Sequence, residues 1–115
     1  MDRMNAEEFE ASVISICSKS PVVASATVLN SGFAWIKIRA TLTNESFVDI
    51  SYNQETGKTT FAQIRNSQRI FGADNKKAWH WHPYEDPQRH DFTNAEITFA
   101  EFFKRVEENM KAEAE

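Results

Sequence analysis

The alternating stretch FAWIKIRATL at residues 33–42 decides the fold class. Small and aliphatic residues occupy every second position from Ala34 to Leu42, whereas the positions between them are aromatic, basic or hydroxylated. Successive side chains of a strand point to opposite faces of its sheet, so this period of two predicts a strand. The aliphatic face belongs in the core, and the other face, with Trp35, Lys37 and Arg39, is predicted to stay open.

Four further strands are predicted around this one, at residues 22–29, 47–52, 59–65 and 70–73. They are rich in β-branched and aromatic residues, and turn-forming residues such as Gly32 and Gly57 separate them. Consecutive strands joined by short loops pair in antiparallel fashion. The sequence therefore predicts a five-stranded antiparallel meander.

A helix is predicted at each end of the chain. Asn5 with Glu8, and Thr98 with Glu101, are capping-box pairs that begin helices at about residues 6–18 and 99–111. Two helices on one face of a single sheet make an α+β fold, which we expect to form one domain over residues 1–115. The predicted buried faces are Phe9, Val13, Ile16 and Cys17 in the first helix, and Phe99, Phe102, Phe103, Val106 and Met110 in the second.

Composition and charge exclude several classes of protein. The 115 residues are 41% hydrophobic and 26% charged, which excludes collagen-like and wholly disordered chains. No run approaches the roughly 20 apolar residues that cross a bilayer, and no signal-like segment is present, so we expect a cytoplasmic protein without a membrane partner. A single cysteine, Cys17, excludes an intramolecular disulfide. The net charge of −4 arises at the two ends, which leaves room for a basic face between them.

The segment from Asp74 to Asp91 carries the candidate chemistry, because it contains all three histidines, His80, His82 and His90. His80 and His82 are two residues apart, so an extended segment places both imidazoles on one side. Imidazole exchanges protons near neutral pH, and Asp74 is suited to orient a histidine. We therefore expect a catalytic group of these four residues, without a cofactor.

Two alternatives stay open for the histidine segment. The same three histidines are also a suitable ligand set for a divalent transition metal. A surface loop whose histidines only pack and hydrogen-bond is the other alternative. Residues 75–94 have no clean period and include Pro83 and Pro87, so they predict a loop, with room for a short strand at residues 79–82.

A second candidate site is the open face of the sheet. Basic side chains neutralise phosphates and tryptophans stack on unpaired bases, so an aromatic and basic face is suited to single-stranded RNA. The same residues are equally typical of a solvated sheet face, or of tryptophan anchors in a protein interface. The candidate RNA-binding residues are Trp35, Lys37, Arg39, Arg65, Arg69, Trp79 and Trp81.

The order of motifs over about residues 33–110 resembles the TumE-type toxin family of bacterial and archaeal toxin–antitoxin modules. The resemblance lies in RIFGADN at residues 69–75, WHWHP at residues 79–83, the later His90 and the closing amphipathic helix. That family shows a denser run of histidines after the Asp-Asn pair, whereas Trp79 and Trp81 alternate with histidines in this chain. The resemblance implies a toxin and endoribonuclease that a cognate antitoxin neutralises.

Together these patterns predict a metal-independent endoribonuclease. One histidine would accept the proton of the RNA 2′-hydroxyl and another would protonate the leaving oxygen, while Lys37, Arg39 or Arg65 held phosphate. The alternatives are a non-enzymatic partner-binding protein anchored by Trp35, Trp79 and Trp81, and a metal-binding protein. The sequence does not indicate an oligomeric state.

Overall fold

The structure, a computed structural model, describes residues 3–115, so the first two residues of the predicted domain lie outside it. One helix lies near each end of this part of the chain. Seven strands lie between them. In chain order the elements are α1 (Ala6–Ser18), β1 (Val23–Ser31), β2 (Trp35–Leu42), β3 (Phe47–Asn53), β4 (Thr59–Arg65), β5 (Gln68–Asp74), β6 (His80–His82), β7 (Asp91–Phe92) and α2 (Phe99–Ala114).

The sheet is an antiparallel meander in the order β1 to β7, which confirms the predicted pairing and corrects the predicted number of strands. It has seven strands rather than five. β6 pairs with β5, and β7 pairs with β6, within the stretch that the sequence predicts mainly as a loop. β6 forms within the short strand that the sequence allows at residues 79–82. β7 has only two residues, which are too few to show a period, so only its pairing with β6 reveals it.

Both helices pack on one face of the sheet, as the α+β prediction requires. α1 lies over β1, β2 and β3. α2 lies over the other half, where the Phe102 ring contacts Phe61 of β4, Phe71 of β5 and Trp81 of β6. The aliphatic face of β2 is buried beneath the helices, so the alternation of residues 33–42 is confirmed for the strand that forms there.

The helix starts follow the caps that the sequence indicates. The Asn5 side chain accepts a hydrogen bond from the Glu8 N–H, and the Glu8 carboxylate accepts one from the Asn5 N–H, which completes a capping box. Thr98 caps α2 in the same way, but the Glu101 carboxylate accepts from the Thr98 hydroxyl rather than from its backbone. The buried face of α2 is as predicted, whereas in α1 Ala6 is buried and Ile16 only partly so.

Within residues 3–115, neither helix combines the length and the apolar character that a membrane crossing requires.

The face of the sheet opposite the helices carries the candidate site. Residues that face one another in adjacent strands project from the same side, so the strand register defines rows of side chains across this uncovered face. The first row runs through Lys37, Ser51, Thr60, Asp74, His80 and Phe92. The second runs through Arg39, Asp49, Ala62, Gly72 and His82.

Candidate functional site

The alternation of β6 separates its histidines from its tryptophan. Trp81 pairs with Ala73 and points toward α2, so His80 and His82 point to the uncovered face. His90 precedes Phe92 of β7 by two residues, and Phe92 lies opposite His80. The pairing of β5, β6 and β7 therefore brings the three histidines and Asp74 together.

The three imidazoles form a compact cluster. The His80 and His90 rings stack with their centres 4.7 Å apart, and the His82 ring meets both edge-on at 4.8 Å. His80 and His82 are only 2% and 3% exposed, whereas His90 is exposed. His90 therefore covers the two buried rings from the solvent side.

Hydrogen bonds decide which ring nitrogens carry protons. His80 Nδ1 lies 2.9 Å from the carbonyl oxygen of Ala78, which only accepts, so Nδ1–H is the donor. His82 Nε2 lies 3.0 Å from Oδ2 of Asp74, and it donates to that carboxylate. The lone pairs of the neutral rings are then on His80 Nε2 and His82 Nδ1.

Burial and charge set the protonation of the Asp74–His82 pair. Burial alone raises the pKa of Asp74, but hydrogen bonds from the Lys76 N–H and from His82, with the charge of the nearby imidazoles, leave that pKa below its ordinary value. Burial, which has the largest effect, and the charges of Arg69 and His80 together lower the pKa of His82 more than the hydrogen bond and the charge of Asp74 raise it. Near neutral pH the pair is thus a carboxylate beside a neutral imidazole.

Arg69 lies beside this cluster, and Gly72, three residues further along β5, leaves room for its side chain. The guanidinium donates to the carbonyl oxygen of Pro87, and the side chain crosses Gly72 on its way there. A Cβ atom on Gly72 would lie 3.0 Å from the carbonyl oxygen of Phe61, 3.1 Å from Cδ of Arg69 and 3.6 Å from His82. Gly72 therefore lets the arginine lie close to the His82 ring.

The face of β2 that the sequence predicts to stay open, with Trp35, Lys37 and Arg39, is part of the same uncovered face, at some distance from the histidines. Lys37 is exposed and has no ion-pair partner among the described residues. Arg39 makes two hydrogen bonds to the Asp49 carboxylate and stacks on the Phe47 ring, so its charge is already compensated. Trp35 is half-buried at the start of the strand.

Three of the candidate RNA-binding residues point to the other side of the sheet. Trp79 and Trp81 pack against Phe61 and Phe71 beneath α2, and the Arg105 guanidinium covers Trp81. Arg65 pairs with Glu113 near the end of α2. The structure therefore places Trp35, Lys37, Arg39 and Arg69 on the same face of the sheet as the histidines, with only Arg69 beside them, and places Arg65, Trp79 and Trp81 on the other side.

Phe92 also belongs to the site, and it is absent from the residues that the sequence predicts there. Its ring centre lies 4.9 Å from that of His80 and 6.2 Å from that of His90, and the residue is 58% exposed. The available signal was its position two residues after His90, which places both on one face if the segment is extended.

Cys17 lies far from this chemistry in the buried face of α1. Burial raises the pKa of its thiol to about 11, so the thiol stays protonated near neutral pH. This arrangement is typical of a cysteine that serves as a small core residue.

Comparison with protein-family models, with curated proteins and with solved structures finds no match for this chain.

Proposed function

We propose that this chain is an endoribonuclease that cleaves single-stranded RNA by histidine acid and base chemistry, without a bound metal ion. The observation that carries the proposal is the cluster of three imidazoles around Asp74 on the uncovered face of the sheet. The resemblance to TumE-type toxins supports a role as the toxin of a toxin–antitoxin module. In that role a cognate antitoxin is its partner.

The reaction uses two imidazoles in opposite roles. One accepts the proton of the 2′-hydroxyl as its oxygen attacks the adjacent phosphorus, and another donates a proton to the 5′-oxygen that leaves. The products are a 2′,3′-cyclic phosphate and a 5′-hydroxyl, so no cofactor or redox partner is consumed. General acid and base catalysis of this kind contributes about 10² to 10⁴-fold in rate.

His90 controls access to the two buried imidazoles. It is exposed, and no side-chain hydrogen bond holds it among residues 3–115. Exposed side chains change rotamer within nanoseconds, so His90 turns aside readily and admits a phosphodiester to His80 and His82. His90 itself then lies beside the scissile phosphate as the second proton-transfer group.

The shape and charge of the uncovered face fit a single strand. Small side chains line the middle of the two rows, at Ser51, Thr60 and Ala62. Lys37 lies about 14 Å from Asp74 across three strand spacings, and it binds a phosphate away from the cleaved bond. The exposed ring of Phe92 offers a stacking surface for a base beside the histidines.

Incubation of the purified chain with end-labelled single-stranded RNA tests this proposal. We expect products with cyclic phosphate ends, equal rates with and without EDTA, and no cleavage of DNA of the same sequence, which lacks the 2′-hydroxyl. Intact RNA in the presence of folded protein would contradict the proposal. Loss of cleavage in EDTA would contradict its metal-independent part.

Replacement of Arg69 by glutamine should lower kcat/KM for RNA by about 10-fold or more, which corresponds to ~1.4 kcal/mol. Arg69 lies close to the His82 ring across Gly72, and a charge-assisted hydrogen bond to phosphate is lost with it. The matched control is Lys104→Gln, which removes one positive charge from the exposed side of α2. Equal losses in the two variants would show that only net charge matters.

A partner-binding role without catalysis is the second candidate, and the free edge of β1 favours it. The nine residues of this strand carry no charge. Its residues Val28 and Leu29 are 38% and 48% exposed, and Phe33, which follows the strand, is 100% exposed. An uncharged exposed edge is a template for an added strand. Co-purification of a stoichiometric partner, together with no RNA cleavage by the freed chain, would favour this role over the nuclease.

A further inference from the structure

We propose that His80, His82 and His90 also bind one divalent transition metal ion of the zinc class, and that this ion inhibits the nuclease. The regulatory part rests on the proposed function, whereas the binding part rests on the cluster alone. One ligand atom from each of the three residues lies within 4.8 Å of the others.

The contact between His80 and Asp74 is the first observation that points to a cation. The His80 Nδ1–H donates to the Ala78 carbonyl oxygen, so a neutral His80 ring has its lone pair on Nε2. That nitrogen lies 3.4 Å from Oδ2 of Asp74, a carboxylate oxygen that also carries lone pairs. Two lone-pair atoms at this distance in a buried site repel unless a positive charge, from a proton or a metal ion, lies beside them.

The second observation is an unpartnered nitrogen on the neighbouring ring. His82 Nδ1 is buried and has no hydrogen-bond partner among the described residues, while Nε2–H is held by Asp74. A buried nitrogen lone pair without a partner is unfavourable. A metal ion bound at Nδ1 would satisfy it, and the Nε2–H would still donate its hydrogen bond to the Asp74 carboxylate.

The hydrogen bonds around the cluster are those that metal-binding histidines make. Such a histidine donates its other N–H to a carboxylate or to a backbone carbonyl, which fixes the ring and makes the ligand more basic. Asp74 does this for His82, and the Ala78 carbonyl does it for His80. The exposed His90 supplies a third nitrogen from the solvent side, so three imidazoles with an open fourth position result.

The class of metal follows from the donors. Three imidazole nitrogens suit Zn²⁺ and its neighbours in the first transition row, whereas Mg²⁺ prefers oxygen ligands in octahedral geometry. A metal ion occupies the lone pairs that acid and base catalysis needs. Metal binding and RNA cleavage therefore exclude each other at this site.

Calorimetric titration of the untagged, chelator-treated chain with Zn²⁺ tests the site directly. We expect one ion per chain, with no binding of Mg²⁺. His90→Ala removes an exposed ligand without disturbing the core and should weaken Zn²⁺ binding by about 100-fold or more, while Asp74→Asn should weaken it by about 10 to 100-fold. Glu85→Gln, an exposed carboxylate of the same segment, is the control and should bind as the wild-type chain does.

Absence of stoichiometric Zn²⁺ binding, or equal binding by His90→Ala, would overturn the proposed site. RNA cleavage measured in parallel separates this result from the nuclease proposal. Zn²⁺ that binds and suppresses cleavage, with recovery in EDTA, supports both. Zn²⁺ that binds while RNA stays intact in every condition supports the metal site and overturns the nuclease and the inhibition, and Zn²⁺ that accelerates cleavage overturns the inhibition.

Discussion

RNA cleavage by the His90→Ala variant is expected to be slower than cleavage by the wild-type chain by about 10²-fold or more. The substitution removes the exposed imidazole that, in the proposed mechanism, transfers a proton at the scissile phosphate. The double variant with His80→Ala and His82→Ala should lose cleavage altogether, and with it any growth arrest that the chain causes in cells. Initial rates on labelled single-stranded RNA provide the measurement.

Folding must be separated from chemistry in this experiment. His90 is exposed, so its replacement leaves the core intact, whereas His80 and His82 are buried and their replacement disturbs packing. Lys104→Ala on the outer side of α2 is the matched control, and circular dichroism verifies that each variant is folded. Wild-type rates in the His90→Ala variant would exclude His90 from catalysis, and unchanged toxicity in the double variant would exclude the histidine mechanism.

Replacement of Phe102 by alanine is expected to lower the free energy of unfolding by about 3 to 5 kcal/mol. Phe102 is fully buried, and its ring lies within 5.2 Å of the Phe61 and Phe71 rings. Truncation removes a ring that packs on β4, β5 and β6 at once, and it leaves a cavity between α2 and the sheet. Since domains of this kind are stable by about 5 to 15 kcal/mol, the loss is a large share of the total.

Urea unfolding followed by tryptophan fluorescence measures this loss, with the midpoint shifted and the slope unchanged. Phe33→Ala is the matched control, because Phe33 is fully exposed and its removal should change stability by less than about 0.5 kcal/mol. Similar losses in the two variants would contradict the arrangement of α2 on the sheet. Because Trp81 also packs on Phe102, the Phe102→Ala variant should in addition loosen the strand that carries His80 and His82.

The alternation of each strand decides which candidate basic residues reach the uncovered face. Lys37 and Arg39 alternate with the buried aliphatic residues of β2, so they lie on the uncovered face. Arg65 does not join them, because it alternates in phase with Phe61 and Gln63 of β4, which face the core, and it reaches Glu113 on the helix side.

The histidine cluster combines local and non-local determinants. Spacing alone indicates that His80 and His82 share one side of an extended segment, and the same alternation sends Trp79 and Trp81 toward the helices. The choice of side depends on which face of β6 meets Phe71 and Phe102, which is a tertiary contact. The position of His90 beside the other two imidazoles depends on the pairing of β7 with β6, and β7 has only two residues.

By itself, the sequence determined the two capped helices, the antiparallel order of the first five strands and the buried face of β2. These features depend on caps, turns and side-chain periods that act within a few residues. Only the tertiary structure decided that the sheet has seven strands, that Asp74 holds His82, and that three imidazoles meet on the uncovered face. Those features need atoms from β5, β6 and β7 to meet, and the short strands β6 and β7 are stable only because they pair with strands already packed on α2.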